Sequence, residues 1–199
     1  MQVTDGTPLV AALMKRFPEF TSAEAQSLAT HARCKTPKRD EPLLQANEFW
    51  RDAFWVERGA LRLFYIDSLG AESNKNFHLE DALIWPVAPF LRDEPVSFFV
   101  AAPEPTAVHC LPYDALEQNV RAMPSWTGLQ LKALSTLVED KMRREQTFLQ
   151  HSARQRYEAI LQTRPDWAQR IPLRHLASYL GMTDVSLSRL RAEMGLIAR

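Results

Sequence analysis

The stretch PLRHLASYLGMTDVSLSRLRAEM, Pro172 to Met194, constrains this chain more than any other. Leu173, Leu176, Ala177 and Leu180 recur at helical intervals and line one face of a first helix. Pro172 suits a first helical turn, where its missing N–H is no loss. Gly181 fits the position where a chain leaving a helix turns left-handed. Thr183 is a good N-cap for a second helix, and Asp184 adds negative charge at its positive end. Leu187 and Leu190 give that helix one narrow apolar face, and Ala177 is small where the two backbones would approach. Two short helices joined by a three- or four-residue turn containing Gly form a helix-turn-helix. The spacing predicts that unit here.

The second helix leaves Asp184, Val185, Ser186, Ser188, Arg189 and Arg191 for solvent or a partner. An Arg at mid-helix can donate two hydrogen bonds to guanine in the major groove, and hydroxyls can reach phosphates or bases. The formal net charge of zero argues against nucleic acid only until its distribution is read. Residues 141–199 carry 11 Lys/Arg against 5 Asp/Glu, whereas residues 1–140 carry 13 against 19. An acidic body with a basic end is expected when one part meets phosphate and the other does not.

At 199 residues the chain can hold one large or two small domains. Cys34 and Cys110, far apart, make no disulfide framework and no four-ligand zinc or iron–sulfur set, so a cytoplasmic setting is expected. The N-terminus MQVTDGTPLVAALMKRF does not read as a signal peptide, because its apolar run is short and its charges follow it. No apolar stretch nears the roughly 18 residues of a bilayer span, so no membrane partner is expected.

Periodicity assigns a short helix to Leu9–Phe17 and a capping box, Thr21 to Glu24, to a second running to about Ala32. Lys35 to Pro42 then reads as a connection. Strand-like runs follow around Trp50, Phe54 and Val56 and over Ala60–Ile66, broken by Glu57-Arg58-Gly59, with Asp67–Gly70 as a turn. Further strands are expected over 73–78, 82–85, 96–102 and 106–111, a pattern of a sandwich or jelly roll. Asp114–Asn119 reads as a short helix, and Pro124 opens a long one. A stripe including Leu129, Ala133, Leu134, Leu137, Val138 and Phe148 must be buried, either on the sheet or against the same helix of a second subunit. Ser152 can cap a helix through Arg154–Thr163 that ends at Pro165, so a hinge near 150–152 is expected.

The order of these parts resembles the cyclic-AMP receptor protein/Fnr (Crp/Fnr) family of bacterial transcription regulators. The resemblance is carried by DAFWVERGALRLFYIDSLGAE (52–72), FHLEDALIW (77–85) and RYEAILQTRPDWAQRIPLRHLASYLGMTDVSLSRLRAEM (156–194). It implies an α+β fold: a cyclic-nucleotide-binding-like jelly-roll sensor over 1–123, a dimerisation helix and hinge over 124–150, and a winged-helix-like helix-turn-helix domain over 151–199. Gly195 to Arg199 leaves room for only a rudimentary wing. Thr183, Ser186 and Arg189 match the family positions that contact DNA, with Arg189 the reader of guanine. The candidate interface is completed by Arg174, Asp184, Val185 and Ser188. Asp184-Val185 stands where the best-known members have Arg-Glu, so a different operator is expected. Double-stranded DNA, a second copy of the chain and a small-molecule effector are the partners implied, with RNA polymerase open as a further one.

The resemblance also locates an effector pocket, for which Glu80, Asp81, Trp85, Arg92 and Ser97 are candidates. Glu80-Asp81 replaces the usual Gly-Asp, and no Arg-Ser pair follows Pro95-Val96-Ser97. Arg92 is the only cation nearby, beside Asp93 and Glu94, which would repel a phosphate. Cyclic AMP is therefore not the expected effector, nor is an iron–sulfur cluster, whose N-terminal Cys group is missing. His31, His78 and His109 leave haem open, while His109-Cys110 as a metal pair has no second pair to complete it. The aromatic run Trp85, Phe90, Phe98 and Phe99 could line an apolar pocket or simply fill the core. No catalytic set is present in the sequence, so no enzyme is expected. Two other readings stay open: a small-molecule-binding or cupin-like protein, which needs clustered His and carboxylate ligands, and an interaction module of this fold that has lost DNA binding.

Overall fold

The computed structural model describes residues 7–196. Residues 1–6 of the N-terminal stretch and residues 197–199 of the short segment after the last helix lie outside them. Two helices open the chain, α1 (Thr7–Arg16) and α2 (Ser22–Ala29). The capping box at the start of α2 forms as its residues require, Thr21 Oγ1 accepting from the Glu24 N–H and Glu24 accepting from the Thr21 N–H.

Eight strands follow: β1 (Arg33–Lys35), β2 (Pro42–Leu44), β3 (Asp52–Arg58), β4 (Leu61–Ile66), β5 (Glu72–His78), β6 (Leu83–Ile84), β7 (Phe99–Ala101) and β8 (Ala107–Pro112). They form two four-stranded antiparallel sheets, ordered β1-β8-β3-β6 and β2-β7-β4-β5. This is a jelly roll. Phe54, Val56, Leu61, Leu63, Val100, Val108 and Cys110 fill the space between the sheets. Ala53 to Val56 are buried at four consecutive positions because β3 is covered on both faces, which explains its unbroken apolar run. On the outer face, Trp55 and Leu111 pack with α1, α2 and Trp126 in a second core.

The sequence missed β1 and β2. Each has three residues, too few for a visible alternation, and β1 is an edge strand carrying the charged Arg33 and Lys35. The helices α3 (Phe90–Asp93) and α7 (Pro165–Arg170) were also not expected. Pro165 ends α6 as expected of a proline but also occupies the first turn of α7, where its fixed φ is tolerated.

The remaining helices are α4 (Tyr113–Val120), α5 (Pro124–Gln150), α6 (Ala153–Thr163), α8 (Leu173–Tyr179) and α9 (Asp184–Glu193). The backbone leaves helical geometry at His151, and Ser152 caps α6 through a capping box with Gln155. A third core joins α6–α9 to the jelly roll: Tyr157, Trp167, Leu176, Ala177 and Leu187 pack with Ala60 and Phe77 of the barrel. Phe77 meets Trp167 edge-to-face at 5.0 Å. Among the described residues no helix is long and apolar enough to cross a membrane.

Candidate nucleic-acid interface and effector cavity

The helix-turn-helix is built from α8 and α9. Leu176, Ala177, Leu180 and Leu187 are buried, as the spacing predicts, and Leu173 and Leu190 are packed against the same core. Gly181 has φ +69°, and a side chain there would meet Phe148 of α5 at 2.5 Å. Only glycine satisfies both demands. Thr183 caps α9 by accepting from the Ser186 N–H at 3.1 Å, and its hydroxyl also lies 2.8 Å from Ser186 Oγ. These two predicted DNA-contacting hydroxyls are thus held to each other at the helix start.

Asp184, Val185 and Ser186 are exposed in the first turn of α9, and Arg189 is exposed one turn further on. Among the described residues Arg189 has no hydrogen-bond or ion-pair partner, so its five donors face solvent. Ser188 is half-buried. Arg174 behaves differently: its guanidinium pairs with Asp40 of the jelly roll. The one candidate on α8 is therefore turned towards the barrel instead of outward.

The docking of α8 on the barrel is polar as well as apolar. Ser178 Oγ accepts from the Asn74 N–H at 2.9 Å and donates to the Glu72 carbonyl at 2.6 Å. His175, buried beside it, lies 3.3 Å from Asp40 and 3.5 Å from Glu72, and both acids pair with the buried Arg62 of β4. Burial, then Arg62, pushes the His175 imidazole down to about 4. From α5, Arg144 donates to the carbonyls of Lys75, Asn74 and Tyr179, tying the long helix to β5 and α8. Nothing in the local sequence marks Arg144 or His175 as a link to the barrel, because the carbonyls Arg144 donates to and the acids facing His175 are 35 or more residues away.

A cavity of about 740 Å³ opens between the barrel, α5 and α7. Trp50, Leu63, Phe77, Trp85 and Phe98 supply its apolar wall, and Leu129, Ala133 and Leu137 supply its α5 side. Lys75 reaches it with its ammonium 4.2 Å from the Phe98 ring, and burial lowers the pKa of that amine. His78 lines it too, pushed down to about 4 by burial and then by Lys75.

Of the five effector candidates, Glu80, Asp81 and Trp85 line this cavity, whereas Arg92 and Ser97 do not. Arg92 pairs with Glu117 at 3.0 Å, and Ser97 is exposed on the far loop. Glu80 is committed to Arg170, and Asp81 to Lys15 and Arg16. In the aromatic run, Trp85 and Phe98 line the cavity, Phe90 is exposed, and Phe99 stacks on Phe64.

The α5 candidates divide between two faces. Leu129, Ala133 and Leu137 face the cavity, and Phe148 packs near Gly181 and α6. Leu134 and Val138 point outward with Leu131, Met142 and Leu149, all exposed by 40% or more. The last three were missed, although 131, 134, 138, 142, 145 and 149 follow steps of three and four.

No family model and no curated protein matches this sequence. Solved structures do. FixK2 from Bradyrhizobium japonicum is similar with a TM-score of 0.70 at 18% identity, over 83% of this chain and 85% of that one. A regulator from Eubacterium rectale assigned to the Crp/Fnr family gives 0.68 at 13% identity, over 92% and 88%. This chain has the Crp/Fnr fold. The c-di-GMP-responsive global regulator CLP from Xanthomonas campestris gives 0.67 at 12% identity, over 90% and 96%. At these identities the likeness extends to the path of the backbone and not to any side-chain role. In this Crp/Fnr fold the jelly roll, the long helix and the helix-turn-helix follow one another in the expected order.

Proposed function

We propose that this protein is a homodimeric, sequence-specific DNA-binding transcription regulator. Residues 151–199 read DNA, 124–150 hold the dimer, and 1–123 sense an effector. The observation that carries the reading is the exposed start of α9, where Asp184, Val185, Ser186 and unpartnered Arg189 stand clear of a fully packed helix-turn-helix core. A purely structural helical hairpin accounts for the packing but not for a recognition-length helix with its donors facing outward.

The outward apolar stripe of α5 is the dimer seam. It brings two α9 helices to successive major grooves, about one helical turn apart. The cavity beside α5 receives an effector that is mainly apolar, since Trp, Phe and Leu dominate its wall. Its effect is to favour one arrangement of α5, β5 and α8 over another, because Arg144 joins all three.

Selection of bound sequences from a random duplex pool, with purified protein and no added ligand, tests the reading. A two-fold symmetric consensus and a steep fall of affinity with salt are expected. Binding with no consensus and no salt slope would overturn it in favour of an interaction module.

A further inference from the structure

Cys34, Glu57 and His109 come from three adjacent strands of one sheet. Cys34 is the direct cross-strand partner of His109 over β1–β8, and His109 is the partner of Trp55 over β8–β3. Directly paired residues share a face of the sheet, so Cys34, His109 and Trp55 lie together. Glu57, two residues beyond Trp55, returns to that face. The Cys34 sulfur, a His109 ring nitrogen and a Glu57 carboxylate oxygen all lie within 4.8 Å of one another. His109 Nε2 is 2.6 Å from Glu57 Oε2, and its ring is 5.2 Å from that of Trp55, which fixes its plane.

The neighbour that sequence alone pairs with His109 is excluded by the same geometry. Cys110 faces the opposite way, into the core between the sheets, where burial pushes its thiol up to about 12.

We propose that Cys34, Glu57 and His109 form a binding site for a divalent cation of the zinc class, with its fourth position open to solvent. The donor set decides the class. One thiolate, one imidazole and one carboxylate suit zinc, cobalt or iron(II), whereas calcium and magnesium take oxygen ligands throughout. Zinc bonds of about 2.0–2.3 Å place donors roughly 3.5 Å apart, so the two outer side chains must rotate to fit the ion, Glu57 opening its 2.6 Å contact with His109 and Cys34 closing in. Those side chains can move: Glu57 is exposed and Cys34 half-exposed, while His109 is buried and held. The same exposure gives the ion a way in and a water as fourth ligand. None of the three residues lines the large cavity, so this site is separate from the effector reading. A bound ion clips the three-residue edge strand β1 to β8 and β3, and it stabilises the fold by mass action because the unfolded chain has no preformed site.

The test uses the full chain, stripped with a chelator and titrated with cobalt(II), then zinc. One cobalt per chain is expected, with the visible bands of a four-coordinate ion and the near-ultraviolet band of a thiolate–cobalt bond, both lost on adding zinc. Cys34→Ser should abolish the thiolate band and weaken binding at least about tenfold, the lower bound for losing even an outer-shell partner. Glu57→Gln should weaken binding and keep the band, and Cys110→Ala should change neither. Zinc should also slow alkylation of Cys34 in the unsubstituted chain, a readout that needs no variant to fold. A spectrum without the thiolate band, binding unchanged in Cys34→Ser, or alkylation indifferent to zinc would overturn the proposal and leave only adventitious binding.

Discussion

Arg170 of α7 holds Glu80 with both arms of its guanidinium, Nη1 on Oε2 at 2.6 Å and Nη2 on Oε1 at 2.7 Å. Glu80 also accepts from the Gly59 N–H at 2.7 Å, and Arg170 also pairs with Glu104. The Arg170 hydrogen bond is the main reason the Glu80 carboxyl is held down to about 2. A residue that the resemblance offers for effector binding is therefore a clamp between the barrel and the C-terminal helices.

Glu80→Gln keeps the shape and removes the charge. Both partners are about a third exposed, so the pair contributes no more than about 1 kcal/mol. Melting should fall by roughly 2–4 °C for a chain of this size, with faster amide exchange in α7. An unchanged melting point and unchanged exchange would show that the clamp is idle.

The buried His175 makes the docking of α8 sensitive to pH. It faces Arg62 of β4, Glu72 of β5, Asp40 of the β1–β2 connection and Arg174 of its own helix. Its folded value, about 4, lies below the ordinary 6.5, so between these the unfolded chain binds the extra proton. Its contribution to stability is complete above 6.5 and is lost as pH falls through 4. Glu80 acts in the same direction lower down, its contribution being lost between about 4.5 and 2. The urea midpoint should thus decline from pH 7 to pH 4, and His175→Gln should flatten that slope. A slope identical in the variant would remove His175 from the account.

What the sequence made legible follows the range of the interactions. Leu176, Thr183, Leu187 and the left-handed backbone of Gly181 answer to local demands, and periodicity, turn chemistry and capping express those directly. Arg174, Glu80 and His175 instead form ion pairs with residues 90 to 135 positions away, and no local pattern encodes those. The α5 stripe was half read because helical spacing gives a hydrophobic arc without saying which edge meets the barrel. The partnership of Cys34 with His109 needed the register of β1, a strand too short to be visible.

The two faces of α5 separate by substitution. Val138→Glu or Leu131→Glu puts charge on the outward seam and should yield a folded monomer in sedimentation experiments. Leu137→Glu puts charge onto the half-buried cavity wall and should lower stability while leaving the dimer intact. A dimer that survives both outward substitutions would move the interface off α5.

Two arginines of the helix-turn-helix should differ on DNA. Arg189 is exposed with its donors unused, so Arg189→Ala should cost about 1–3 kcal/mol against the selected site and relax the preference at one base pair. Arg174 is engaged by Asp40, so in the docked arrangement it is withheld from phosphate. Asp40→Asn removes that competitor and should raise affinity for all duplexes alike, steepening the salt dependence by about one phosphate contact. Affinity and slope indifferent to Asp40→Asn would mean that α8 leaves the barrel when DNA binds, and Arg174→Ala would then weaken binding in the unsubstituted background.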